Sequence, residues 1–287
     1  MKPAKKKVLL FVAFFASLLA ISVIIADHLT EATAHINPPY AQIDLVPILD
    51  QKEFAQDDYQ TLFYQTGLGK TAIDELKANS PDFEERVLYF QDLFFTDVSV
   101  TSQNNTFVSK EEYTTDKNGN ISPLFEFALI KDNYILVTKS SITLGWRNGH
   151  SAIIVNQDKG QTLESVVLGT NSRIQDISKW TYYPNVIVLK LKGNPDIESG
   201  KIAKYALQHL NDIPYRLSIG VFSAKEQTFA TTIKGTQCAH LVWQAYAYFG
   251  YDLDSNGGKI VTPKDIANSS LLEVVQVFGV DPRQIWP

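Results

Sequence analysis

The sequence predicts an α+β protein in which an antiparallel sheet packs on helices, behind an N-terminal helical extension. Three observations support this fold class. Helical periodicity dominates the first hundred residues, short apolar runs separated by Asn and Gly follow, and amphipathic helices return in the last third. The 287 residues, 45% of them hydrophobic, are enough for one sizeable core with or without a small accessory domain.

Residues 1–26 are predicted to be an export segment. Four lysines precede an uncharged run from Val8 to Ala26, which is about long enough to cross a bilayer. The lysines are expected to stay cytoplasmic, which places the rest at the extracellular face of the membrane or in the medium. Two interpretations remain open. One is a signal peptide with Ala32-Thr33-Ala34 as its cleavage site, and the other is an uncleaved membrane anchor, which the length of the run favours.

Charge and composition narrow the expected partners. No long basic run occurs beyond the N-terminus, so nucleic acid is not an expected partner. Loss of residues 1–26 removes four lysines and no acid, which takes the formal net charge from -5 to about -9. Bulk charge would not draw such a protein to anionic lipid or wall polymers. Any envelope substrate must therefore be held by a local site.

Residues 27–123 are predicted to form a linker and a mainly helical extension. Residues 124–287 are predicted to form a second unit, in which strands come first and helices follow. In the extension we expect a helix from Leu49 to Leu76 broken near Gly67-Leu68-Gly69, a helix from Pro81 to Phe95, and a loop or hairpin from Ser99 to Ser122. In the second unit we expect strands at Phe125–Ile130, Tyr134–Val137, Ser151–Val155, Thr162–Leu168 and Asn185–Leu191, and helices at Ile197–Leu210, Gln237–Phe249 and after the N-cap Thr262.

The only cysteine, Cys238, is the first candidate for chemistry. It falls in the first turn of a predicted helix, where unpaired N–H groups and the helix dipole stabilise a thiolate and an oxyanion. In an oxidising compartment a lone thiol is a liability unless it is buried or used. Leu241, Val242 and Ala245 lie on the same helix face as Cys238, so a buried structural thiol is the alternative.

A thiolate nucleophile needs a base, and His150 is the best placed of the five histidines. It opens an apolar strand, whereas His240 lies about 200 degrees around the helix from Cys238. Glu164 follows a predicted turn at Asp158-Lys159-Gly160, so a hairpin would make it a cross-strand neighbour of His150. A carboxylate there would fix the ring tautomer and raise its basicity. A structural histidine and an exposed strand acid are the alternatives.

Three stretches follow one another along the chain: Asn148–Val155 with Leu163-Glu164-Ser165 and Trp180 beyond it, Thr236–Tyr246, and Val261–Ala267. In this order they resemble the permuted papain-like branch of the NlpC superfamily, to which the YiiX-like and YycO-like proteins belong. In that branch the His strand precedes the Cys helix, and the resemblance covers roughly Asp132 to Ser270. It implies a circularly permuted papain-like catalytic domain over residues 124–287. Two departures occur: Ala239 replaces a common Ser, and Asp132-Asn133 replaces a common Gly-Asp.

The resemblance implies a thiol hydrolase acting on amides or esters, in peptidoglycan stem peptides or, in other branches, in lipids. By position, it makes Cys238 the nucleophile, His150 the base and Glu164 the third polar residue. Tyr215 resembles a tyrosine that shapes the site before the Cys helix, and Gln237 is a candidate contact for substrate or oxyanion. No metal or cofactor is expected, because Cys238 and the scattered histidines lack metal-ligand spacing.

The leading hypothesis is therefore an exported cysteine amidase or peptidase of the bacterial cell envelope. Its expected partners are a peptide, peptidoglycan or lipid acyl substrate, and the membrane through the N-terminal segment. A lipid esterase or acyltransferase of the same fold is one alternative. A non-catalytic envelope binding protein is the other.

Overall fold

A computed structural model of the protein describes residues 3–29, 34–106, 108–193, 200–221, 225 and 234–287. Two antiparallel sheets pack against helices, which confirms the predicted α+β class. The helices are α1 (Pro3–Leu29), α2 (Val46–Leu49), α3 (Gln56–Thr66), α4 (Lys70–Asn79), α5 (Phe83–Phe94), α6 (Lys201–His209), α7 (Cys238–Ala247) and α8 (Pro263–Ala267), with a 3-10 helix at Ile177–Tyr182. The strands are β1 (Ser99–Asn104), β2 (Ser109–Thr115), β3 (Ile135–Thr138), β4 (Ser141–Thr143), β5 (Trp146–Arg147), β6 (His150–Asn156), β7 (Gln161–Glu164), β8 (Arg173–Asp176), β9 (Val186–Leu191) and β10 (Leu272–Phe278).

The larger sheet has six strands in the order β10-β9-β3-β6-β7-β8, with every neighbouring pair antiparallel. The predicted hairpin between β6 and β7 is confirmed, with Ile153 opposite Leu163. The smaller sheet has the order β1-β2-β4-β5. Its first two strands show that Ser99 to Ser122 contains a hairpin rather than only a loop.

Both faces of the large sheet are buried. On one face Ile153 packs with Leu241 and other residues of α6 and α7. On the opposite face Ile154 packs with Phe90 and other residues of α3, α4 and α5. Successive side chains of a strand point to opposite faces, so β6 is apolar at most positions. The division between residues 27–123 and 124–287 remains a prediction.

The predicted helix break near Gly67 is confirmed. Helix α3 ends there because Gly67 adopts a left-handed φ of 71°, and its N–H still bonds to the carbonyl of Phe63. A Cβ at Gly67 would lie 2.2 Å from the carbonyl oxygen of Val277, so a larger residue would push this corner off β10. The helix predicted to start at Leu49 begins only at Gln56, the first residue of α3. Residues 50–55 lie between α2 and α3 outside any helix.

Helix α8 follows its predicted N-cap, while α7 begins one residue after its predicted start and ends two residues before its predicted end. Gln237 is the N-cap of α7, and its side chain accepts a hydrogen bond from the N–H of Ala239. Thr262 caps α8 in a capping box with Asp265, and Pro263 is the first helical residue. Helix α6 ends at His209, one residue before its predicted end, and residues 197–199 of that prediction lie outside the described residues.

Two strand predictions are wrong in whole or in part. Phe125–Ile130 is not a strand, because the side chain of Gln276 replaces a neighbouring strand: it accepts from the N–H of Ala128 and donates to the carbonyl of Glu126. The strand predicted at Thr162–Leu168 ends at Glu164. Beyond it the chain turns, and the carbonyl of Val167 accepts from the backbone and hydroxyl of Thr170.

Helix α1 contains one stretch, Lys7–Ile25, that is long and apolar enough to cross a membrane, and none of this stretch is buried. Both a signal peptide and a membrane anchor fit this helix. Of the predicted cleavage site, Ala32 and Thr33 lie outside the described residues.

Candidate active site

His150 and Glu164 meet at one end of the large sheet. His150 opens β6 and Glu164 ends β7, and the hairpin register brings the two side chains together. The ring Nε2 of His150 lies 2.7 Å from Oε2 of Glu164. His150 is 3% exposed and Glu164 is completely buried. With Nε2 held by the carboxylate, Nδ1 is the ring nitrogen that can serve a second partner.

Glu164 is held by four side chains. Oε1 accepts hydrogen bonds from Thr162 Oγ1 at 2.6 Å and from Trp180 Nε1 at 3.1 Å. Oε2 is shared between His150 and the ammonium group of Lys179. Such complete satisfaction lets a fully buried carboxylate stay ionised, since its lone pairs are met by donors in place of water.

Trp180 orients the imidazole as well as the carboxylate. Its ring stacks on that of His150, with centroids 5.7 Å apart and an angle of 20° between the planes. Lys179 and Trp180 both come from the 3-10 helix at Ile177–Tyr182. This short helix therefore fixes the carboxylate and the ring together.

Cys238 is the first residue of α7 and is 8% exposed. Interaction with its side chain raises the pKa of His150, so the thiol lies close to the imidazole. The thiol sulfur also lies 3.3 Å from Oε1 of Gln237, whose Nε2 donates to the carbonyl of Val261 at 2.6 Å. The sulfur thus lies between an imidazole and the first backbone N–H groups of a helix, a setting that stabilises a thiolate.

The electrostatics of the site favour a charged imidazole. Burial lowers the pKa of His150, but hydrogen bonds to Cys238 and Glu164 and the charges of both raise it to about 9. Burial also acts to raise the pKa of Glu164. The charge of Lys179 and the contact with His150 outweigh that effect and hold this pKa far below its usual range. At neutral pH these directions give an imidazolium beside the ionised carboxylate of Glu164.

Tyr215 lies on a segment that runs next to the start of α7. The segment Pro214–Arg216 runs beside Thr236 in a short parallel pairing, just before Cys238. Burial and the charge of Cys238 both raise the pKa of Tyr215, which places its hydroxyl in the electrostatic field of the sulfur. Tyr215 is partly exposed, and its predicted role in shaping the site stays a prediction.

A second buried carboxylate, Glu111 on β2, faces the same region. Burial raises its pKa, while a 2.5 Å hydrogen bond from Tyr113 and the positive charges of His150 and Lys179 bring it below its ordinary value. The small sheet thus contributes a second negative charge near the imidazole. The sequence offered no signal for this, because Glu111 lies in a polar stretch, Ser109–Thr115, with no apolar run to mark it as buried.

The C-terminus supports the residue before the histidine. Gly149 has a φ of 71°, and a Cβ there would lie 2.4 Å from the Trp286 ring and 2.5 Å from the carbonyl of Thr138. Trp286 is held in place through its own carbonyl, which accepts a hydrogen bond from the side chain of Asn268 at 3.0 Å. The start of β6 is therefore clamped between β3 and the chain end.

The other described histidines do not join this cluster. His240 faces away from His150, as expected: its ring bonds to Thr236 Oγ1 at 3.0 Å and to the carbonyl of Lys225 at 2.9 Å. Burial lowers its pKa to about 4, so it is neutral. His35 lies 2.5 Å from the carbonyl of Pro184, and His209 stacks on Tyr205 at the end of α6. Among the described residues, no group of three or more His, Cys, Asp or Glu side chains could hold a metal.

Comparisons with known proteins found one distant similarity. No protein-family model matches the chain, and no curated protein matches it. The crystal structure of the metalloprotein yiiX from Escherichia coli O157:H7 is similar at a TM-score of 0.40 and 12% identity, over 50% of this chain and 96% of that one. The α+β class rests on the sheets and helices described above, and the function must be argued from the geometry of the site.

Proposed function

We propose that the protein is a membrane-tethered or secreted cysteine hydrolase that cleaves amide bonds of the cell envelope, such as those of peptidoglycan peptides. One observation carries the proposal: the buried His150 ring is hydrogen-bonded to Glu164 and interacts with the side chain of Cys238. A nucleophile, a base and a group that orients the base are what covalent acyl transfer requires.

In the proposed reaction, the thiolate of Cys238 attacks the acyl carbon, and the carbonyl electron pair moves onto oxygen. In this proposal the N–H of Cys238, the first residue of α7, binds this oxyanion. Gln237 Nε2 has a second hydrogen beyond the one donated to Val261, so it is the side-chain candidate for the same role. As the tetrahedral species collapses, Nδ1 of His150 gives its proton to the leaving amine, and a thioester remains.

Water then completes the proposed cycle. His150 Nδ1 takes a proton from the water, the hydroxide adds to the thioester carbon, and the sulfur leaves as the thiolate with the proton retained on the imidazolium. The acyl product departs as a carboxylic acid. Glu164 stays ionised throughout, because Lys179, Thr162 and Trp180 hold its oxygens. Its role is to fix the ring and to stabilise its positive charge.

The test is hydrolysis by the full-length protein of purified peptidoglycan, followed by chromatography of the released fragments. Cys238→Ala and His150→Gln should abolish release while leaving the folded structure intact. Glu126→Gln, a change at an exposed ion pair with Arg86, is the matched control and should keep full activity. Wild-type release that persists in Cys238→Ala would contradict the proposal.

The same variants separate the two alternatives. Release of fatty acid from phospholipid micelles, with no fragment from peptidoglycan, would assign the site to a lipid esterase or acyltransferase. Failure of iodoacetamide to modify Cys238 in native protein at neutral pH would leave a non-catalytic binding protein.

A further inference from the structure

The hairpin between β4 and β5 has an unusual tip. Thr143 pairs with Trp146, so Leu144 and Gly145 alone form the loop. Both have positive φ values, 53° for Leu144 and 81° for Gly145, as in a type I′ turn. Asn and Gly are preferred in such turns, whereas a leucine has no local hydrogen bond to offset the left-handed conformation. Leu144 is therefore not the residue that the turn itself would select.

The tip also presents apolar side chains to solvent. Trp146 is 40% exposed and Val108 is 46% exposed. Val108 lies beside the turn, because its carbonyl accepts the N–H of Leu144 at 2.8 Å. Trp180, Trp243 and Trp286 are all buried, so Trp146 is the tryptophan that the protein displays. A strained leucine, a valine and a tryptophan together form an apolar tip, here defined as Val108, Leu144 and Trp146.

The apolar tip contacts the segment that can cross the membrane. Trp146 Nε1 donates to Ser22 Oγ of α1 at 3.2 Å. Ser22 is three residues from Ile25, where the apolar stretch Lys7–Ile25 ends. At 1.5 Å per residue this is about 4.5 Å inside the end of the span. That depth is the membrane interface, where tryptophan is enriched because its ring is apolar and its N–H is polar.

We propose that the apolar tip inserts into the outer interface of the bilayer beside α1, so that the hairpin and α1 together hold the domain against the membrane. The inference rests on the part of the proposed function in which α1 remains as an anchor. Because Trp146 lies only four residues before His150, the site would work within about 15 Å of the lipid surface. Its substrate would then be an amide near the membrane, as in a membrane-linked peptide, rather than one in the outer wall.

Tryptophan fluorescence tests the insertion directly. The full-length protein is reconstituted into phosphatidylcholine and phosphatidylglycerol vesicles, with and without lipids brominated near the top of the acyl chain. Bromine should quench the wild-type emission and should not quench that of Trp146→Phe, since the other tryptophans are buried. Equal quenching in both proteins, or none in the wild type, would overturn the proposal. Cys238→Ala should quench like wild type, so this result is independent of catalysis.

A second variant tests the strained leucine. Leu144→Asn places the preferred residue in the turn, so it should raise the midpoint of thermal unfolding in detergent while it weakens quenching in vesicles. That combination supports a leucine kept for contact with lipid at a cost in stability. Unchanged quenching in Leu144→Asn would contradict it.

Discussion

Nε2 of His150 lies 2.7 Å from Oε2 of Glu164, and the oxygen that receives this contact is also the partner of Lys179. The imidazole is therefore held by a carboxylate that a cation already keeps ionised. This arrangement leaves Nδ1 as the ring nitrogen that can serve Cys238, and it stabilises the charged ring.

Glu164→Gln should keep the shape of the site and remove its negative charge. The pKa of His150 should fall, because the imidazolium loses its closest buried anion. Alkylation of Cys238 by iodoacetamide should slow at acidic and neutral pH, because the thiolate loses part of the stabilisation that a charged imidazole gives it. The measurement is the alkylation rate against pH. A profile identical to that of wild type would show that Glu164 does not tune the base.

Lys179→Met should change the pKa of His150 in the direction opposite to Glu164→Gln. Without the ammonium group, Oε2 of Glu164 is left to His150 alone, so the pKa of His150 should rise. The buried carboxylate loses one of its four donors, which should lower the free energy of unfolding by about 1–2 kcal/mol. Lys179→Arg retains the charge and is the control. NMR titration of the His150 ring and denaturant unfolding measure the two effects, and a lowered pKa would contradict this role.

The stability of the protein should fall on both sides of mildly acidic pH. His150 has a folded pKa of about 9 against 6.5 for the free side chain, so its contribution is full below 6.5 and is lost as pH rises through 9. The pKa of Glu164 is lowered from 4.5, so its contribution is full above 4.5 and is lost in acid. Unfolding by urea at several pH values measures both limbs. The free energy of unfolding should fall by an amount on the order of 3 kcal/mol at alkaline pH. This fall should disappear in His150→Gln. If it persists in that variant, His150 is not its cause.

Gly149→Ala and Gly119→Ala make a matched pair, because both glycines have positive φ values. Nothing lies within 4 Å of a Cβ at Gly119, so that change should cost only the backbone strain, about 1 kcal/mol. At Gly149 the new methyl would meet Trp286 and the carbonyl of Thr138, so its cost should reach about 3 kcal/mol or more. It should also displace His150 and slow Cys238 alkylation. Equal unfolding free energies of the two variants would argue against the C-terminal clamp.

Much of the fold follows from local patterns. The periodicity of β6 and β7, the turn between them and the caps of α7 and α8 are encoded by residues close in sequence. The strand expected at Phe125–Ile130 failed for a non-local reason, since Gln276 on β10 satisfies its backbone. Local apolar character alone cannot distinguish a strand from an extended segment with a side-chain partner.

Some residues of the site can also be predicted from local sequence patterns, and others cannot. Cys238 and His150 stand out because helix starts and strand ends are visible in sequence. Lys179 and Glu111 do not, because their part depends on how a 3-10 helix and the small sheet close around Glu164 and His150. The contact between Trp286 and Gly149 is harder still to predict, because the two residues are far apart in sequence. Such contacts arise only once the sheet order is set.

The most direct test of the account is the rate at which iodoacetamide alkylates Cys238, measured against pH in wild type and His150→Gln. The reaction is unambiguous because the chain has one cysteine. A thiolate paired with an imidazolium reacts at acidic pH where a free thiol does not. We predict that the wild type keeps most of its neutral-pH rate at about pH 6 and that His150→Gln loses it. Coincident profiles for the two proteins would contradict a thiolate activated by His150.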